Sequence, residues 1–416
     1  MTTLRQALEQ AHRREWTAVL AATVRLTRDL DLAEECVQDA YAAALEEWGR
    51  GGVPAKPGAW LTTVARHNAL DALRRARTLR SKLRLLVEPV PAEQAGTGQV
   101  VADDRLRLVL LCCHPALTRE AQVALTLRLA CGVATADIAA AFLVPEPTMA
   151  ARITRAKKKI AAARIPFRLP PREELPARLD AALTVVHLLF TTGHTARAGP
   201  ALTRADLATR ALDLARLLHA LLPAEREVAG LLALLLANHA RRATRTDADG
   251  RLLPLEDQDR SAWDAHDIAE ADELVVRALR GGRPGRFGLQ GAIATLHAAA
   301  PTYADTDWPQ ILVVYDALLA VWPSPVVALN RAVAVAMVRG AEAALAEVAE
   351  LERDGRLAAY RYLPAVKADL LRRLDRRDEA ALAYRRALDL GGTEPERAFL
   401  TGRLTELGHA ETGRRA

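Results

Sequence analysis

Five cations close one short stretch of this chain. In ATADIAAAFLVPEPTMAARITRAKKKI (134–160), Arg152, Arg155, Lys157, Lys158 and Lys159 follow Glu146 with no further acid. Guanidinium and ammonium groups bond phosphate oxygens, and arginine can also fork onto a guanine edge. A second run, AWLTTVARHNALDALRRARTLRSKLR (59–84), sets Arg66, Arg74, Arg75, Arg77, Arg80, Lys82 and Arg84 against a lone Asp71. The chemistry on offer is recognition of a polyanion, and no catalytic residue, cofactor or metal is expected. Cys112, Cys113, His114 and Cys131 lack the CxxC spacing of a zinc site and read as buried small groups. TDADG (246–250) begins like a calcium loop but has no matching Glu downstream, so a turn is expected. His239, Asp264, His266 and Asp267 are the set a metal-dependent hydrolase would use, but their spacing gives no further support.

The elements that must position the first run are two short helices. Thr135 is expected to cap the first, with Ile138, Ala139 and Phe142 facing inward. A turn follows at LVPEP, and Pro147 suits the first turn of the second helix. Met149 and Ile153, at i and i+4, pack on the first helix. Thr148, Arg152, Arg155 and the three lysines then fall on the outer face. Two short helices with an inward stripe and a cationic outer face describe a helix-turn-helix whose second helix enters the major groove. A solvated helix end, its cations favoured by the helix dipole, would explain Lys157 to Lys159 but not Arg152 and Arg155. Before the second run lies DLDLAEECVQDAYAAALEEW (29–48). Leu32, Cys36, Ala40 and Leu45 are expected on its packed face, with Glu34, Glu35, Gln38 and Asp39 outside. In the basic helix that follows, Trp60, Leu61, Val64 and Leu70 form the expected buried stripe. The acidic helix suits a second protein and the basic one suits nucleic acid.

The chain has 416 residues, half of them hydrophobic, with Ala, Leu and Arg abundant and only 4% aromatic. That composition, without alternating strand patterns, predicts an all-α protein. Its length calls for several domains. Residues 1–168 carry 25 Lys and Arg against 17 Asp and Glu, whereas the remainder has 32 against 34. The basicity therefore belongs to the N-terminal 168 residues, which is where a polyanion partner is expected. No apolar run is long enough to span a bilayer and the N-terminus has no signal-peptide core, so a cytoplasmic protein is expected. The expected organisation is a helical domain over 10–80, a linker over 81–102, the helix-turn-helix domain over 103–168, and helical domains over 172–280 and 285–410. The last two are divided at GGRPGRFG (281–288). Ala332, Val335, Ala344, Val348 and Leu351 recur 36 positions later as Ala368, Leu371, Ala380, Tyr384 and Ala387, which predicts stacked helical hairpins resembling tetratricopeptide repeats.

Together these motifs resemble the extracytoplasmic-function (ECF) group of bacterial sigma factors, the promoter-reading subunits of RNA polymerase. DLAEECVQDAYAAALEEW resembles the helix that docks on the polymerase clamp, AWLTTVAR with the following Asp and Arg pair the segment that reads and opens the −10 element, and ADIAAAFLVPEPTMAARITRAKKKI the −35-reading helix-turn-helix. HLLFTTGHTARAG, LLALLLANHARRATR, LEDQDRSAWD, TDWPQILVVYDALL and SPVVALNRAVAVAM resemble the long tetratricopeptide-like extension of one sigma subgroup.

The resemblance implies a non-enzymatic protein whose partners are bacterial core RNA polymerase and promoter DNA. It places Thr148, Arg152 and Arg155 at −35 base edges and Lys157 and Lys158 on phosphates. It places Lys56, Arg66, His67, Asn68, Arg74 and Arg75 at the −10 site, and Glu34, Glu35, Gln38 and Asp39 on polymerase. His67 stands where such proteins often have Asn, and Leu143 where a turn glycine is common. The acids Glu88, Glu93, Asp103 and Asp104 would thread the polymerase channel, and the extension would regulate the protein, through intramolecular contact with the sigma domains or through another protein. The alternative is a stand-alone helix-turn-helix regulator with a sensing repeat domain, which would have no need of a clamp-binding helix.

Overall fold

The computed structural model describes residues 4–83, 104–142, 144–171, 173–194 and 205–408. Most of the expected linker, with Glu88, Glu93 and Asp103, lies outside the described residues, as do Arg84, Leu143 and the side chains of Arg77, Arg80 and Lys82. The fold is all-α; among the described residues the strand-like pairing is a single bridge between Thr246 and Leu252. The chain forms two compact units, residues 1–185 and 186–416.

In the first unit, α1 (Leu4–Thr27), α2 (Leu30–Gly51) and α3 (Pro57–Leu83) pack on one another. Asp29 caps α2 by accepting hydrogen bonds from the amides of Asp31 and Leu32. Gly52, at φ +82°, ends the same helix. The buried face of α2 is Ala33, Val37, Ala40, Ala44 and Trp48, a 3.6-residue stripe of mostly small groups that lets the helices approach closely. Leu45, expected on that face, lies off it and is 57% exposed. In α3, Leu61, Ala65 and Ala69 are fully buried, while Trp60 is half-buried with its ring edge-on to Trp48.

The remainder of this unit holds α4 (Asp104–Cys112), α5 (Arg119–Leu125), α6 (Thr135–Ala141) and α7 (Glu146–Ala162), and ends within α8 (Leu175–His194). Asp104 belongs to the first turn of α4, bonded to Arg107 and Arg25, and not to a free linker. Helix α5 runs on into a π-helical turn, Thr126–Ala130. Helices α6 and α7 form the expected helix-turn-helix: Ile138, Ala139, Met149 and Ile153 are all buried between helices. Ala134, not Thr135, occupies the N-cap of α6, and no side chain caps that end. Cys36, Cys112, Cys113 and Cys131 are all buried and unpaired by disulfide. Burial pushes the Cys113 thiol up to about 11 and raises that of Cys112 well above the ordinary range, as suits inert core groups.

In the second unit the end of α8 is followed by α9 (Ala205–Leu221), α10 (Arg226–His239), α11 (Ala265–Leu279) and α12 (Arg286–Ala299). The glycine-rich 281–288 stretch, expected to be a domain boundary, joins helices that pack on one another. A methyl group added to Gly230 of α10 would lie 2.4 Å from the backbone nitrogen of Gly288 in α12, and one on Gly291 would lie 2.7 Å from the Gly230 carbonyl. Glycine is required there because the two backbones meet. Glu227 completes the joint by accepting hydrogen bonds from the amides of Phe287 and Gly288 at the start of α12, where amide groups lack helical partners.

Helix α13 (Trp308–Val321) precedes two hairpins, α14 (Pro325–Arg339) with α15 (Ala341–Asp354) and α16 (Tyr362–Arg373) with α17 (Arg377–Asp389), and α18 (Glu394–Glu406) follows. Ala332 and Ala368, Val335 and Leu371, Ala344 and Ala380, and Val348 and Tyr384 are all buried at equivalent places in the two hairpins. The glycine joint makes a prediction: Gly230→Ala should destabilise the protein by about 1–3 kcal/mol, the ordinary cost of overpacking. A lowered denaturant midpoint for the second unit would register it, whereas Gly402→Ala, at an exposed helical position where the added methyl meets nothing, should raise the midpoint or leave it unchanged.

Candidate functional site

The apolar stripe of α7, Met149, Ile153, Ala156 and Ile160, is buried, and the helix packs on α5 and α6. That fixes its rotation. Thr148, Arg155, Lys158 and Lys159 face solvent, and Arg152 is half-buried beside them. Pro147 sits in the first turn, as expected. The helix therefore offers a threonine and four cations on accessible surface, enough to bond a phosphate backbone and reach base edges.

Lys157 departs from the expected outer face. Its side chain is 10% exposed, and its ammonium donates to Asp31 Oδ1 at 2.8 Å and Glu34 Oε2 at 2.6 Å, both on α2. Burial pulls the lysine pKa down, but the two hydrogen bonds and the adjacent carboxylate charges outweigh it and leave it above the ordinary value. Lys157 is thus charged in place. Arg128, from the π-helical turn, pairs with the other oxygen of Glu34, which is 7% exposed. Gln38 also donates to Glu34, at 3.3 Å. Of the four residues expected to meet polymerase, Glu35, Gln38 and Asp39 are exposed on α2 and Glu34 is turned inward.

The same seam has a second set of contacts. Trp16 donates its indole N–H to the Leu129 carbonyl at 3.0 Å, and Thr17 donates to the Ala130 carbonyl. Those carbonyls close the π-helical turn, where the backbone has no helical donor ahead of it. Gly132, at φ +65°, lies against Trp16 and His12; a methyl there would come within 2.9 Å of the indole. Trp16, Arg128 and Gly132 do not stand out by sequence pattern. Only the lone glycine after the apolar helix ALTLRLACG hints at the close approach.

On α3, Arg66, His67, Arg74 and Arg75 are exposed, as is Lys56 in the loop before it. Asn68 is half-buried and donates to the Cys36 carbonyl at 3.3 Å, which ties α3 to α2. Asp71 pairs with Arg74 at 3.2 Å. The exposed cations form a second positive strip, separate in sequence from that of α7.

In the second unit, His239 Nδ1 lies 3.1 Å from Asp267, and Asp264 caps α11. His266, Asp267 and Glu270 bring ligand-type atoms within 4.8 Å of one another. Arg216 reaches both Asp267 and Glu270, and Arg242 reaches Asp264 and Asp267, so guanidinium groups already neutralise these carboxylates. The TDADG segment is a turn, with Gly250 at φ +79° and Asp247 accepting from the amides of Asp249 and Arg251. A cleft of about 230 Å³ lies where α16, α17 and α18 face Pro254, Glu256 and Tyr303, with Asp369, Arg373, Tyr384 and Arg403 in its lining.

Comparison with known proteins matches residues 8–78 to Sigma-70 region 2, residues 107–160 to Sigma-70, region 4, and residues 178–279 to a family of unknown function (DUF6596). An uncharacterized protein of Rhizobium meliloti (strain 1021) is 43% identical over 394 residues, covering 93% of each chain. No solved structure matches the chain.

The exposed faces differ in what they should do. Arg152→Ala should weaken binding most at one base position, by roughly 1–3 kcal/mol. Lys158→Ala should weaken all sequences about equally and lower the salt dependence. Competition binding with single-base duplex variants at several salt concentrations separates the two; equal losses across every variant would remove Arg152 from base readout.

Proposed function

Since the chain belongs to the ECF-like sigma factors with a C-terminal extension, and as such directs bacterial RNA polymerase to promoters, we propose how its residues divide that work. Helix α7 reads the −35 element through Thr148, Arg152 and Arg155, with Lys158 on phosphates, while Lys157, expected beside it, is held instead by Asp31 and Glu34. Phosphate contacts set the register and base contacts carry the sequence information. Lys56, Arg66, His67, Asn68, Arg74 and Arg75 serve the −10 element. The connection from α2 to α3, within GRGGVPAKPG (49–58), is the place for a base taken out of the stack, a step that costs a few kcal/mol and needs a fitted pocket. Glu35, Gln38 and Asp39 meet core polymerase, while Glu34, expected with them, is turned inward to Lys157 and Arg128. All of this is non-covalent binding, with no covalent bond made or broken by the protein's own side chains, and its place of work is the bacterial cytoplasm.

The observation that carries this division is the accessibility of the groups. Thr148, Arg155 and Lys158 on α7, Arg66, His67, Arg74 and Arg75 on α3, and Glu35, Gln38 and Asp39 on α2 each present a charged or polar face to solvent. The second unit, far larger than promoter reading requires, is a regulatory element. Its two stacked hairpins support a role in binding protein or ligand, since stacked helical pairs build extended binding surfaces.

Co-elution with core RNA polymerase tests the polymerase assignment. The chain should bind, and the double variant Gln38→Ala, Asp39→Ala should lose binding while keeping its helical content. Unchanged binding by that variant would move the polymerase site elsewhere. A chain ending at His194 should transcribe differently from the full chain; identical output under all conditions tested would remove regulation from the second unit.

A further inference from the structure

A concentration of positive charge lies in the second unit, apart from every residue assigned above to DNA or polymerase. Arg241 and Arg245 follow α10, Arg260 precedes α11, and all three are half-buried. The guanidinium groups of Arg241 and Arg260 stand 5.3 and 4.7 Å from the centre of one ring, that of buried Trp263. Trp263 is itself fixed by its indole N–H, which donates to the Thr244 hydroxyl at 2.7 Å. We infer that Arg241, Arg245 and Arg260 form a binding site for a phosphate group, either free or carried by a small molecule. The site does not rest on the promoter-reading assignments.

The groups that hold these cations are neutral. Arg241 donates to the Gln258 amide oxygen at 3.4 Å, and Gln258 is oriented by its own bond to the Leu253 carbonyl. Arg260 donates to the carbonyls of His297 and Ala300 at the end of α12, at 2.8 and 2.7 Å, and to the Thr306 hydroxyl. Arg245 donates to the His194 carbonyl at the end of α8. Two helix ends thus steady the cluster, but with roughly half a negative charge each they do not balance three guanidinium groups. Among the described residues no carboxylate forms an ion pair with Arg241 or Arg260. The nearby acids are engaged elsewhere. Asp264 and Asp267 take Arg242, Asp305 accepts from Thr302, and Glu396 accepts from Arg361, Tyr362 and the Thr393 amide. Arg331, also half-buried, shows the ordinary solution, with Asp316 and Glu347 each at 2.6 Å.

The electrostatics agree with the geometry. Burial pulls Arg241 and Arg245 down to about 10, and the charges of Arg245 and Arg260 add to the effect on Arg241. Burial, with Arg241 and Arg260 beside it, lowers His297 to about 4, so its ring is neutral at pH 7. Arg260 Nε and His297 Nδ1 are buried and have no hydrogen-bond partner among the described residues. Such atoms are costly when left unpaired, and an oxyanion can accept from Nε and from the Nδ1–H tautomer. Phosphate suits the cluster better than a carboxylate. Its tetrahedral oxygens can accept from several guanidinium forks at once, and it carries more charge. The partial exposure of all three arginines leaves them reachable from solvent.

Isothermal titration of the full chain with inorganic phosphate, at an ionic strength fixed with chloride, tests the site. Arg241→Gln, which gives up one long hydrogen bond, should weaken the binding of one phosphate per chain by roughly tenfold or more. Arg385→Gln removes the same charge from an exposed position on α17 and should leave that binding unchanged. Arg241→Lys keeps the charge without the fork and should also weaken it, which covers the case of a glutamine variant that does not fold. Phosphate should also raise the thermal midpoint of the full chain, and less so in the Arg241 variants. Glycerol phosphate and a nucleoside monophosphate distinguish the sources. Tighter binding of either ester assigns the site to a phosphorylated small molecule, and tighter binding of inorganic phosphate assigns it to the free ion. Neither heat nor a midpoint shift at millimolar phosphate would overturn the proposal. Equal losses in the Arg241 and Arg385 variants would do so too, as would acetate displacing phosphate at equal concentration.

Discussion

A charge removed from water must be matched within a few ångströms, and Lys157 meets that constraint with Asp31 and Glu34. Much of the first unit follows from it. Helix α7 has to point an apolar stripe at α5 and α6, one lysine at α2, and its remaining cations at solvent. The spacing of Met149, Ile153, Ala156 and Ile160 satisfies the first demand. Lys157, next to Ala156, satisfies the second, and Arg155, Lys158 and Lys159 satisfy the third. Asp29 supports the arrangement from the other side by fixing where α2 begins, and so where Asp31 and Glu34 fall on its surface.

The second unit answers a different constraint, that of bringing backbones close. Gly230, Gly288 and Gly291 remove side chains where α10 crosses α12, and Glu227 supplies acceptors to the start of α12 in the same place. Farther along, small residues on the inner faces of the hairpins do similar work: Ala332, Ala344, Ala368 and Ala380 are fully buried where helices meet. Alanine and glycine at crossings explain how a chain with few aromatic residues builds a large helical core.

Much of this was legible in the sequence because helical periodicity is local. The inward positions Ile138, Ala139, Met149 and Ile153 follow from spacing alone, as does the 36-residue correspondence of the hairpins. What sequence could not supply was tertiary pairing. Lys157 looks like its neighbours Lys158 and Lys159, and only the approach of α2 distinguishes it. Leu45 fits an apolar pattern on α2, yet the packed face is set by α1 and α3 and runs through Ala44 and Trp48 instead. The GGRPGRFG stretch reads as a break because glycine is ambiguous: the same residue that loosens a linker also permits the tightest helix contact. Thr135 carries the right side chain for a cap but lies one residue inside the helix.

As a sigma factor the chain directs core polymerase to promoters, and the proposed division of labour gives one promoter element to α7 and a second to α3. The most direct test is to initiate transcription with core polymerase and the full-length protein on a library of templates randomised upstream of the start site, and to sequence the transcribed templates. Two enriched boxes at a fixed separation are the predicted result, the upstream one altered by Arg152→Ala and the downstream one by Arg75→Ala. A single box, or initiation with no sequence enrichment, would contradict it.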